Sequence, residues 1–158
     1  MYVISKDVAG YLTATTTTIK NNLKTWISNY KMINDTIDIR DAKIVNFGIN
    51  FSIVSDYEEN RFDVLSAATK RLKNYFINQE YDIGEAIYVV DVYKELQRVP
   101  GVIDVLDVKI LHRQGGNYSE TNFDFMASLS VDGRFLKAPA DAIFELKYPS
   151  ADIQGTVT

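Results

Sequence analysis

A chain of 158 residues, 46% hydrophobic and 24% charged, is long enough to build one globular domain with a real core, and its apolar content argues against disorder. With no cysteine it can form no disulfide, thiolate metal site or cysteine nucleophile, which fits a reducing compartment. A formal charge of −4 offers no overall attraction to nucleic acid or anionic lipid, and no apolar run approaches the roughly 18 residues of a membrane span. The chain therefore reads as soluble, with neither nucleic acid nor membrane among its partners.

The first fourteen residues, MYVISKDVAGYLTA, read as two short extended pieces around a turn at residues 6–10. Thr15, Thr16, Thr17 and Thr18 read as a loop ending in an N-cap threonine rather than as functional low-complexity sequence. The helix that follows, residues 18–32, carries Ile19, Leu23, Trp26, Ile27 and Tyr30 on one face, a spacing that predicts a packed Trp26. Next comes the clearest strand, residues 45–54. Val45, Phe47, Ile49, Phe51 and Ile53 alternate with small or polar Asn46, Gly48, Asn50 and Ser52, so one face is expected under the core.

The acidic turn SDYEEN leads to Asn60, which can cap a helix over residues 60–76 with Phe62, Leu65, Ala68, Leu72, Tyr75 and Phe76 as its apolar positions. Asp56, Glu58 and Glu59 lie just ahead of that helix and read as dipole-complementing and solvating, since no Asp/Asn ladder with a distal Glu marks a calcium loop. Val89, Val92, Tyr93 and Leu96 define a second helix over residues 90–98. Pro100 and Gly101 end it, and a strand follows over residues 102–111, interrupted by Asp104, Asp107 and Lys109 as in a strand with one wet edge or a bulge. Beyond a polar loop, Phe123, Phe125, Ala127 and Leu129 alternate as in a strand, Asp132-Gly133 signals a hairpin turn, and AIFELKY reads as a last strand exposed at alternate residues. The tail SADIQGTVT shows no core-forming pattern of its own.

The catalytic inventory is thin. His112 is the only histidine, so two-histidine metal sites and histidine relays cannot form within one chain. Gly115-Gly116 lacks the strand-to-helix setting of a phosphate cradle, and no G-x-S-x-G or Walker-type loop occurs. The carboxylate pairs Asp38 with Asp41 and Asp104 with Asp107 read as element-end charges, and Lys70, Arg71 and Lys73 as a solvated helix face. No residue is nominated as catalytic, cofactor-binding or metal-ligating, and no cofactor is expected.

The ordered set DAKIVNFGINFSI at 41–53, FDVLSAATKRLKNYF at 62–76 and YDIGEAIYVVDVYKELQRVPGVIDVLDVKI at 81–110 resembles the baseplate J-like family of contractile-tailed phages. In that family a strand, a helix, an IGE turn, a second helix and a bend into a strand recur in this order. The flanks NLKTWISNYKMINDTIDIRDA at 22–42 and IFELKYPSADIQGTV at 143–157 are similar to the C-terminal part of T-even-type baseplate wedge proteins, cyanophage relatives included. The resemblance covers the chain from about residue 23 onward, and such wedge proteins are considerably longer, which implies a C-terminal region of a longer protein. It implies a structural, non-enzymatic role in the virion tail baseplate, assembled in the host cytoplasm. The partners it implies are a second copy in a homodimer, neighbouring copies in the baseplate ring, and other wedge proteins.

The expected fold is α+β: two helices (60–76 and 90–98) on one face of a mixed or antiparallel sheet holding the strands 45–54 and 102–111, with the extra helix 18–32 alongside and further strands toward the C-terminus. Residues 1–17 form an extended segment or hairpin, residues 18–112 the α+β core, and residues 113–158 a β extension or a small subdomain. The alternative is a small ferredoxin-like ligand-binding domain or enzyme of unknown substrate, which needs convergent polar groups in an apolar pocket. Nucleic-acid binding needs a basic, aromatic sheet face, which Asn46, Gly48, Asn50 and Ser52 do not supply.

Overall fold

The computed structural model describes residues 1–158. In chain order the elements are β1 (Tyr2–Val3), β2 (Ser5–Lys6), β3 (Leu12–Thr13), α1 (Thr17–Ser28), β4 (Arg40–Asp41), β5 (Lys43–Ser55), α2 (Arg61–Ile77), β6 (Ile87–Tyr88), α3 (Val89–Gln97), β7 (Val102–Arg113), α4 (Phe125–Ser128), β8 (Phe135–Leu136), β9 (Ala142–Glu145), α5 (Pro149–Asp152) and β10 (Ile153–Val157). The architecture is α+β.

The thirteen-residue β5 organises the molecule. Its alternation works as the sequence predicts: Val45, Phe47, Ile49, Phe51 and Ile53 are all buried beneath the helices. Along one edge β5 pairs antiparallel with β7. The other edge is shared by two short strands, both parallel to β5: β9 beside Lys43 to Asn46 and β10 beside Ile49 to Ile53. Thus the C-terminal segment completes the four-stranded mixed sheet. In β7, Leu106 and Ile103 have no partner opposite them, because the register slips between Ser52 and Ile53 and again between Val54 and Ser55. Each extra residue is a bulge, and both side chains stand exposed on the strand.

α2 begins at an N-cap, where Asn60 accepts a hydrogen bond from the Phe62 N–H at 3.0 Å. Its buried row is Val64, Ala68, Leu72 and Phe76, a strict i, i+4 stripe. Phe62, expected on that face, is instead exposed, since at about 100° per residue it lies roughly 120° round the helix from Ala68 and the buried stripe. α3 buries Val89, Val92 and Leu96, as its spacing predicts. Between α3 and β7, Gly101 sits at φ +82°, and a Cβ there would lie 2.8 Å from Val64 Cγ2. Its carbonyl accepts from Asp56 N–H at 2.9 Å, so one glycine closes the bend and ties it to the end of β5.

Four expectations are corrected. α1 ends at Ser28 and buries no residue, and Trp26 is 59% exposed rather than packed. Helical periodicity defines an apolar face without saying what covers it. Residues 125–128 form a helical turn and not a strand, because the Asp124 carboxylate caps it by accepting from Met126 and Ala127 N–H. In β9, Ala142, Ile143 and Phe144 are buried in succession, as befits a parallel strand covered on both faces. The tail does contribute to the core through β10: Ile153 is buried and Val157 packs against the cluster. Between them, a Cβ on Gly155 would run into the Phe51 ring and Leu65 Cδ1. That position must be glycine, and its missing side chain hides the strand's alternation.

Candidate functional site

A groove of about 890 Å³ lies at the β9 edge of the sheet. Its inner wall is the end of α2, with Phe76 and Ile77, and its outer wall is the hairpin of β2 and β3. The hairpin folds as its sequence predicts, with the Asp7 carboxylate accepting from Ala9 and Tyr11 N–H and Gly10 at φ +89°. Glu145 anchors it to the sheet: Oε1 accepts from Leu12 N–H at 2.7 Å and Oε2 from Asn46 Nδ2 at 2.8 Å. Across the mouth Lys6 pairs with Glu80, and the segment after Glu80 sends Tyr81 into the core against Phe47. Burial drives the Tyr81 phenol far above its ordinary pKa, so it stays neutral.

On the opposite side of the sheet from the helices lies a polar cluster that the sequence did not announce. Asn46, on the small and polar face of the strand, is only 1% exposed: its Oδ1 accepts from Ser119 N–H at 2.7 Å while its amide holds Glu145. Asp152 is equally buried. It accepts from the Tyr118 hydroxyl at 2.6 Å and from Tyr148 N–H at 3.0 Å, and it faces Arg113 Nε at 3.4 Å. Arg113 lies across Gly48, where any Cβ would meet its guanidinium. Burial first, and the bond to Asp152 second, push the Tyr118 phenol up to about 12. The chemistry of this cluster is closure: apart from Arg113 Nε, which faces Asp152 without a hydrogen bond, its members satisfy one another and lock the 114–122 loop and α5 onto the sheet.

The residues weighed on the sequence are dispersed. His112 faces the helix side, opposite Phe47, with its ring 5.1 Å from that of Phe125. Asp41 takes Thr15 N–H and the Lys20 ammonium and so moors α1, while Asp38 pairs with Arg40. Asp104 accepts from Val105 N–H and Asp107 pairs with Lys109. Arg71 pairs with Glu95, whereas Lys73 lines the groove, so the basic cluster does not form one patch. Asp56 and Glu58 belong to the turn before α2, and Gly115 and Gly116 to an open loop. No three His, Asp or Glu side chains lie close enough to share a metal ion. No helix is long and apolar enough to cross a membrane.

No protein-family model and no curated protein matches this chain. The remaining feature is apolar exposure around α1. The Trp26 and Tyr30 rings lie 5.0 Å apart between centroids, tilted by 51°, and Ile19, Met32 and Ile33 are also exposed nearby in the chain. Such side chains gathered on one segment suit a protein contact better than a solvated face.

Proposed function

We propose that this chain is a non-enzymatic structural component of a contractile-tail baseplate wedge, which self-associates and joins neighbouring wedges into the baseplate ring. The ordered resemblance from strand to helix, IGE turn, helix and PGV bend brings the reading forward. The structural observation that carries it is α1, a twelve-residue amphipathic helix held beside a complete core while burying none of its own residues. A helix of that kind gains its stability from a surface supplied by another chain. The groove is the observation favouring a ligand-binding domain. For an enzyme, reacting groups would have to converge there, yet Glu80 is paired with Lys6 and both oxygens of Glu145 are engaged.

Antibodies raised against the chain should label the baseplate end of isolated contractile tails from the virus that encodes it. Tails that carry the full baseplate but show neither label nor the chain's peptides by mass spectrometry would overturn the assignment.

A further inference from the structure

β7 is the far edge strand of the sheet, and only β5 pairs with it. The main-chain bonds on the other side of β5 show which residues of β7 face outward. Lys43 N–H donates to the Asp141 carbonyl at 2.7 Å and Thr158 N–H to the Ile53 carbonyl at 2.9 Å, so the odd-numbered residues of β5 turn toward β9 and β10. Its even-numbered residues therefore bond to β7, where Asn46, Gly48, Asn50 and Ser52 stand opposite Arg113, Leu111, Lys109 and Asp107. Between these, Val108, Ile110 and His112 point their main-chain N–H and C=O groups away from the sheet, and no other group of the chain takes them. The edge is open to water. Lys109 is exposed, Ile110 and His112 are half-buried, and Val108 keeps 8% exposure although its side chain belongs to the core. Backbone groups are obligatory donors and acceptors, and an edge of unpaired ones is a template for another strand.

We propose that this edge pairs with the same edge of a second copy, antiparallel across a two-fold axis at Ile110. A two-fold axis brings like strands together antiparallel, and bonding requires outward residues to meet outward residues. Registers that match two or more of them are centred on Lys109, Ile110 or Leu111. The first sets Lys109 against Lys109 of the other copy and the last sets Lys109 against Arg113, so like charges disfavour both. Only the register centred on Ile110 engages every outward residue: Val108 with His112, Ile110 with Ile110, and His112 with Val108, each pair exchanging its N–H and C=O bonds. Beside them Lys109 faces Leu111, and Asp107 faces Arg113 of opposite charge. The bulges at Leu106 and Ile103 end the ladder on the other side of Asp107. Charge thus selects one register out of the neighbouring ones. The edge is short, so the pairing is weak and belongs to millimolar rather than micromolar chain. It uses no residue of α1 and does not rest on the baseplate assignment.

The test follows the full chain by nuclear magnetic resonance as its concentration rises from micromolar to millimolar. The amide resonances of Val108, Ile110 and His112 should shift together toward saturation. In a sample mixing two isotope labels, the α-protons of Lys109 and Leu111 on different copies should come into contact, because opposite residues that exchange no bonds lie closest in an antiparallel ladder. Ile110→Pro removes an outward N–H that β5 does not use, at an edge position that tolerates proline, and should weaken the association about tenfold or more. A contact between Lys109 and Lys109 instead, or shifts confined to α1, would overturn the proposal. So would undiminished association of the proline variant; if that variant unfolds, the mixed-label contact in the unaltered chain decides by itself.

Discussion

At the scale of single residues, His112 gives the molecule a pH response confined to one window. Burial beside Phe125 lowers its pKa below the ordinary 6.5, only partly offset by a hydrogen bond with the Thr121 backbone. The unfolded chain thus takes up a proton more readily than the folded one, and stability is lost as pH falls through 6.5 toward the folded value. Asp41, Asp132 and Asp141 are held below their ordinary 3.8 by hydrogen bonds, first among them those from Lys20, Ser130 and Lys43 respectively. Their contributions persist until the pH drops under about 4. The melting temperature should therefore decline from pH 7.5 to pH 5, and His112→Gln should flatten that decline. An unchanged slope in the variant would show that His112 is as solvated as in the unfolded chain. Residue roles were the least legible in the sequence: Asn46 and Asp152 look like surface residues by type, and only their long-range partners Ser119, Glu145, Tyr118 and Arg113 explain their burial.

At the scale of elements, legibility followed periodicity. β5, α2, α3 and β7 could be read because each buries one face against the others, so pattern and packing agree. α4 and β10 could not, because Asp124 capping overrode the alternation in one and Gly155 erased it in the other. β5 offers the sharpest check on the sheet's two faces. Phe47→Asp would place a carboxylate among Phe76, Tyr81 and Phe144, at a cost of about 4 kcal/mol or more, enough to unfold a domain of ordinary stability. Asn50→Asp would stand opposite Lys109 on the outer face, where the Asn50 Oδ1 is already buried and unpaired, and should cost about 1–2 kcal/mol, well short of the Phe47 variant. Chemical denaturation of the two variants measures both, and a tolerant Phe47 with a sensitive Asn50 would invert the sheet.

At the scale of the whole molecule, the question is what covers α1. Closed two-fold pairing is the commonest symmetric solution, and a standard contact needs about 800 Å² from each partner, a small share of the 9949 Å² that the chain exposes. Trp26, Tyr30 and Met32 are 59%, 74% and 78% exposed, which makes them the natural anchors of such a contact. We therefore expect a homodimer in solution; under the proposed baseplate role, ring closure falls to other wedge components. Because its contact is apolar, it should persist in about 1 M salt, where surface ion pairs are screened within roughly 3 Å. Trp26 is the only tryptophan, so its emission reports the contact directly and should shift to the blue as protein concentration rises. Light scattering after size exclusion should give twice the 17.9 kDa chain mass. Trp26→Glu should return the monomer with almost no loss of melting temperature measured at low protein concentration, since Trp26 is 59% exposed and the sides of α1 nearest its own chain are those of Leu23 and Ile27. A strict monomer at high concentration would sink the dimer, a dimer dissolved by salt would sink its apolar mechanism, and a variant that unfolds would show that α1 belongs to the core after all.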